Sequence, residues 1–452
     1  MSISSIICRN FAWVVAILIL IRIVFFVCFV VFDGQYLEED SGYYIWLADI
    51  LREHHVFSQT DQPPFSPQLF RTPGYPTFLA LLKELGMESP YWAVLWQELI
   101  YGLCVFIFFH YGKPLFGGKI TRLGVIFLLI EPGGLSTPKM ILSETLFLPF
   151  FFSGILAIGH YLRTHNGRLL FFSGAMMGVG AWIRPAILYF PLVAAITLVG
   201  FAIKDKKRWL HAGVLLFAFI LVISPWLLRN YHYFGKLVMS GQQSNMLANY
   251  HVPMVWESAR GIPFWTGHKK IKEQVRLAID EQAKKLDRKL STAEELDLEQ
   301  KIAIDELKKY PWHYLKQWCF GVLKTMNGAN LFGVYHAFRH RTDRLHFFEI
   351  EATDFKDKVY IFLINQDYFY IAEVLLRVII GLFALIGALW IVIKRDCFLW
   401  VMMLANFYFI CSPGPMGYAR FRFPVEVFWF IQAYYGLAWM QCLLQKRKLQ
   451  KT

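Results

Sequence analysis

Long apolar runs recur along this chain, and they constrain its fold more than any other feature. About twenty predominantly apolar residues make one α-helical crossing of a bilayer. Ten segments approach that pattern, near 11–32, 91–111, 120–136, 141–162, 169–184, 186–203, 209–228, 369–393, 397–412 and 424–444. The pair at 169–203 is divided by Arg184-Pro185. Only 17% of the 452 residues are charged and 56% are hydrophobic, whereas a soluble domain carries about 25% charged residues. The expected fold is an all-α polytopic membrane protein. The run from Phe11 to Phe32 is interrupted by Arg22 and is followed by no small-x-small cleavage site, so it reads as a retained first span.

The loops set the orientation. With ten spans, Arg9, Lys113, Lys119, Arg122, Arg163, Arg168, the Lys204–Arg208 group, Lys394, Arg395 and the basic C-terminus all fall on one side. By the positive-inside rule that side is cytoplasmic, with both termini inside. The rule also accounts for much of the net charge of +13. No basic, aromatic-interleaved module for nucleic acid is present. Six of the seven cysteines lie in or beside apolar runs and only Cys319 falls in a hydrophilic region, so neither a disulfide framework nor a CxxC zinc pattern emerges.

Two hydrophilic regions are left on the opposite side. This divides the chain into an N-terminal membrane module, 1–228, with a first loop at 33–90; a helical region, 229–368; and C-terminal membrane helices, 369–452. The first loop predicts a short helix after Asp40, a Pro-rich stretch and an apolar helix near 76–86. In the second region, 270–289 and 293–309 read as charged amphipathic helices. Ser291 with Glu294 forms a capping-box pattern, and Pro311 ends the second helix. Residues 311–335 are mixed in character and fit an interfacial segment.

Ionisable groups at a membrane edge are costly and mark candidate sites. Asp33, Glu38, Glu39, Asp40, Arg71, Glu131, Glu144, Arg184, Arg229, Arg420 and Arg422 all map to the outer ends of spans or to adjoining loops. Carboxylates and guanidinium groups in one layer suit an anionic, lipid-linked substrate.

The chain resembles the GT-C glycosyltransferases of the family 39 type, which include protein O-mannosyltransferases, the lipid A aminoarabinose transferase and bacterial lipopolysaccharide sugar transferases. The resemblance rests on "DSGYYIWLADIL", "FRTPGYPTFLALL", "ILSETLFLPF", "AWIRPAILYFP", "SPWLLRNYHYFGKLV", "YPWHYLKQWCFGVLK" and "ARFRFPVEVF" in that order. Each motif is weak alone; their order and topology are specific together. The charged insertion at 260–310 has no counterpart in that pattern.

The resemblance implies an inverting enzyme with a polyprenyl-phosphate sugar donor and an acceptor hydroxyl on a glycan, lipid or protein. It places the general base at Asp40, with Glu39 and Glu38 as rivals, and a further carboxylate at Glu144. Arg71, Arg184, Arg420 and Arg422 are the candidates for the donor phosphate, and Arg229 fits a structural anchor better. From the residues alone, Asp40 is equally a helix N-cap, Glu144 a carboxylate favoured by a helix N-terminus, and Arg420 and Arg422 side chains snorkelling to headgroups. Some relatives use a divalent metal. His54, His55, His336, His340 and His346 are the nearest candidates for one, without a recognisable metalloenzyme pattern. The rival readings are a transporter or flippase of lipid-linked sugars, an O-antigen ligase or polymerase, and a scaffold subunit. The chain has no N-x-S/T sequon, which favours a bacterial inner membrane over the endoplasmic reticulum.

Overall fold

The computed structural model describes residues 10–32, 34, 36–38, 40–330 and 368–449. Asp33, Glu39, His336, His340 and His346 lie outside the described residues. The described chain is helical, and each of the ten apolar segments forms helix. In order these are α1 (Phe11–Val31), α2 (Ser41–His54), α3 (Gly74–Glu84), α4 (Pro90–Phe116), α5 (Gly118–Ile130), α6 (Pro132–Ser136), α7 (Ser143–Thr164), α8 (Arg168–Ile183), α9 (Phe190–Gly200) and α10 (Lys206–Phe234). There follow α11 (Gln242–Met246), α12 (Val252–Arg260), α13 (Phe264–Leu286), α14 (Thr292–Lys308), α15 (Pro311–Asn327), α16 (Tyr368–Lys394), α17 (Cys397–Cys411) and α18 (Glu426–Leu449).

Six helices are long and apolar enough to cross a bilayer, and a bent pair makes a seventh among the described residues. The ten expected segments are these together with three shorter apolar helices. Helices 168–183, 185–200 and 397–411 are apolar but short. The expected span at 120–136 is broken at Pro132, where the chain bends by 53°. The break is built from side chains: Glu131 accepts hydrogen bonds from the amides of Gly133 (2.8 Å) and Gly134 (2.6 Å), and Pro132 starts the new turn.

Charges inside the bundle are paired. Arg22, which interrupts the first apolar run, donates to Glu98 (2.7 Å) and to the carbonyl of Gly134 (2.8 Å); Lys139 also binds Glu98. Small residues allow close helix packing. A Cβ on Gly387 of α16 would stand 1.9 Å from the Gln432 carbonyl oxygen of α18, so these two backbones touch. The largest core cluster includes Phe147, Phe151, Phe409 and Phe428.

Helices α11–α15 pack on a separate small core that includes Val252, Trp256, Ile271 and Leu307. The capping box at Ser291 and Glu294 is formed as expected. This region rests on the first loop: the Gly241 amide donates to Leu69 O (3.0 Å) and the Ser240 hydroxyl to Phe70 O (2.5 Å).

Candidate active site

The loop after α1 is pinned to the strand-like segment before α7. The Ile141 amide donates to Tyr36 O (3.0 Å), and the Ser41 hydroxyl donates to Ile141 O (2.9 Å) while accepting from the Glu38 amide (2.8 Å). This places Asp40 at the start of α2, but its side chain makes no capping bond. The carboxylate turns to two arginines instead. Arg71 Nη2 donates to Oδ1 (2.6 Å) and Arg420 Nη2 donates to Oδ2 (2.8 Å). The helix-cap reading of Asp40 is thereby replaced by a two-arginine clamp.

Each clamp residue is held by its own element. Arg71 ends the Pro-rich stretch, and its guanidinium lies 5.1 Å from the ring centre of Tyr44. That stretch is tied down by Arg229, which donates to the carbonyls of Gln68 (2.6 Å) and Phe57 (3.3 Å) and sits over Trp226 (4.7 Å). Arg229 is an anchor, as its span-end position indicated. Arg420 enters from the opposite end of the chain, in the tight turn Ala419–Val425 that leads into α18.

Beyond Arg420 stands the second carboxylate. Glu144, in the first turn of α7, pairs with Arg184 (2.6 Å) and lies 3.8 Å from Arg420 Nε. Arg184 sits where α8 stops before Pro185, and its guanidinium and that of Arg420 lie 5.8 and 5.6 Å from the Phe421 ring centre. The tertiary structure thus brings Arg71, Asp40, Arg420, Glu144 and Arg184 into one continuous row, from four separate parts of the sequence.

Burial alone would raise the Asp40 carboxyl, but the charges of Arg420 and Arg71 outweigh it and hold the group below its usual value of 3.8. It is an anion at neutral pH. A guanidinium offers five N–H donors, so Arg71 and Arg420 retain donors for a second anion beside the carboxylate.

Arg422 does not join this row. Its side chain is wholly buried and donates to Glu426 (2.7 Å) and to the carbonyls of Thr325 (2.6 Å), Met326 and Gly328 (3.1 Å). It belongs to a second cluster that the sequence reading missed, in which Arg377 meets Glu131, Glu373 (3.4 Å) and Glu426 (2.9 Å). A signal was present: Glu373 and Arg377 are four residues apart inside an apolar run, where a charge is expected to have a partner. Glu131 is likewise drawn into this cluster and away from Asp40.

No group of three His, Cys, Asp or Glu side chains suited to a metal occurs among the described residues. Asp40 and Glu144 meet guanidinium groups, and the His54 ring packs on Phe65 (5.0 Å). The described residues do not fit a divalent ion at this site.

Residues 70–228 match the family model of dolichyl-phosphate-mannose-protein mannosyltransferase. The GT-C resemblance holds. The matched segment contains Arg71, Glu144 and Arg184, while Asp40, Arg229 and Arg420 lie outside it. Among solved structures, the crystal structure of ArnT from Cupriavidus metallidurans bound to undecaprenyl phosphate is similar, at 12% identity and a TM-score of 0.43, over 94% of this chain and 78% of that one. No curated protein matches the chain. The chain is a multi-pass membrane protein by its apolar helices, and its residues 70–228 are similar to that mannosyltransferase family.

Proposed function

We propose that the protein transfers a sugar, with inversion, from a polyprenyl-phosphate donor to an acceptor hydroxyl of a glycan, lipid or protein. The observation that carries this reading is the Asp40 carboxylate clamped between Arg71 and Arg420. The description of the matching family, an enzyme of a lipid-phosphate-linked sugar, supports the donor class.

In this mechanism the donor phosphate takes the remaining guanidinium donors of Arg71 and Arg420, and charge-assisted bonds to it strengthen as it leaves. Competition by phosphate for the same guanidinium groups loosens their hold on Asp40 and restores its basicity. Asp40 then accepts the acceptor hydroxyl proton as that oxygen attacks the anomeric carbon. The bond from the anomeric carbon to the phosphate oxygen breaks through an oxocarbenium-like transition state, as in glycoside chemistry generally. The bond pair leaves with the phosphate, and a single displacement inverts the centre. Glu144 holds Arg184 and faces Arg420, which orients the clamp. On this reading the chemistry takes place on the extracytoplasmic face of a bacterial inner membrane with both termini in the cytoplasm, an orientation that the basic loops support.

The test is transfer from a polyprenyl-phosphate sugar by purified protein and by Asp40→Asn. Activity of the variant within a few-fold of the parent protein sinks the base assignment. Transfer that requires a nucleotide sugar sinks the donor class.

A further inference from the structure

Where the α11–α15 region rests on the first loop, a cavity of about 290 Å3 opens beside Phe70, the residue preceding Arg71. That is near the lower end of the range for small-molecule sites, about 300–1,000 Å3. Its walls come from two sources. The loop supplies Gln59 and Phe70, and the helical region supplies Asn249, Lys272, Glu295 and Glu299. Ile279 and Leu296 continue the apolar side that Phe70 begins.

The polar side carries two carboxylates and one ammonium, beside the amides of Gln59, Asn245 and Asn249 and the Thr292 hydroxyl, which can donate and accept. Glu295 and Glu299 stand one turn apart on α14, opposed by one lysine. Burial pushes both carboxyls up, for Glu299 against the opposing effects of its Asn249 bond and the Lys272 charge. Asn249 is only 5% exposed. Its Nδ2 donates to Glu299 (3.2 Å), while its Oδ1 has no hydrogen-bond partner among the described residues. A buried carbonyl oxygen without a donor is costly. Two carboxylates against one ammonium disfavour a phosphate and leave acceptors for hydroxyl donors. A ligand that fits has several hydroxyl donors on its rim and an apolar face. A pyranose ring meets that description.

We propose that this cavity binds one sugar ring, with hydroxyls donating to Glu295 and Glu299 and the C–H face against Phe70 and Ile279. That ring is assigned to the acceptor, because the donor sugar has to sit at its phosphate and the two carboxylates of this cavity disfavour a phosphate. The assignment to the acceptor rests on the transferase reading; the binding of a sugar does not.

The experiment is saturation-transfer NMR on the full chain in detergent, titrated with methyl glucoside, methyl galactoside, methyl mannoside and methyl N-acetylglucosaminide. Saturable binding of at least one of them is expected. Val275→Trp, at a half-buried wall position, should weaken it at least tenfold, and Glu295→Gln several-fold. Saturation by none of the four, or saturation unaltered in both wall variants, overturns the proposal. Should Val275→Trp fail to fold, Glu295→Gln decides alone. Binding that is lost in the wall variants, in a protein that transfers no sugar from any donor, upholds the cavity and overturns the transferase reading.

Discussion

Two charged clusters stand near each other in this molecule, and they are built to different ends. Around Asp40 the side chains keep some access to solvent: 24% for Asp40 and Arg420 and 17% for Arg71. Around Arg377 and Arg422 the side chains are sealed at 4% and 0%, and the donors of Arg422 end on backbone carbonyls or Glu426. A sealed cluster of this kind fixes the turn after Thr325 and the start of α18. An accessible cluster with donors left over can exchange partners with a ligand. Sequence position did not separate the two, since Arg420 and Arg422 are two residues apart. Solvent access and the number of donors already bound did.

The largest expected effect tests the accessible cluster. Asp40→Asn should lower turnover by about 100- to 10,000-fold, the usual worth of a positioned base. Its unfolding temperature should move less than that of a variant in the sealed cluster, because these pairs are only partly buried and are weakened by solvent screening. A large drop in thermal stability with modest loss of turnover would merge the two clusters in kind.

The converse experiment is Arg422→Leu. Removing one partner of a buried ion pair destabilises by about 3–5 kcal/mol. The variant should unfold at markedly lower temperature in detergent. Near-normal stability combined with a raised KM for donor would return Arg422 to the phosphate site.

A smaller effect sharpens the clamp itself. Arg420→Lys keeps the charge but loses planar, two-point contact with carboxylate and phosphate. It should raise the KM for the lipid-phosphate donor by about tenfold, roughly 1.4 kcal/mol, with little change in stability. Unaltered donor KM would separate Arg420 from the phosphate.

The pH dependence gives the smallest signal. In the free protein Asp40 lies below 3.8, so its carboxylate is already formed throughout about pH 5 to 8 and kcat/KM should show no acid limb from it there. Its stabilising ion pairs are complete above 3.8 and lost only as pH falls through the lowered value. The acid limb of kcat should sit higher than that of kcat/KM, because bound phosphate draws the arginines away. Coincident limbs would show that the clamp does not open.

Much of the fold was legible in the sequence because lipid imposes a simple rule: long apolar runs must be helix. The capping box at Ser291, the anchoring role of Arg229 and the helices flanking the Pro-rich stretch followed from local pattern. Local pattern missed the bend at Glu131-Pro132, where a side-chain cap on two glycine amides starts a new turn inside an apolar run. Asp40 was singled out by its motif, but the residues alone also allowed a helix cap, since Asp before a helix start is the usual sign of one.

The sequence by itself determined the solvent, the helical architecture and the stock of charges gathered toward the ends of spans. Which charges meet was decided only by tertiary structure. Asp40 and Arg420 are 380 positions apart and Arg377 and Glu131 are 246 apart. Pairing over such distances depends on how helices pack, and local pattern carries no term for it. The physical reason is that burial, rather than residue type, sets whether a guanidinium is a closed strut or keeps donors open to a ligand.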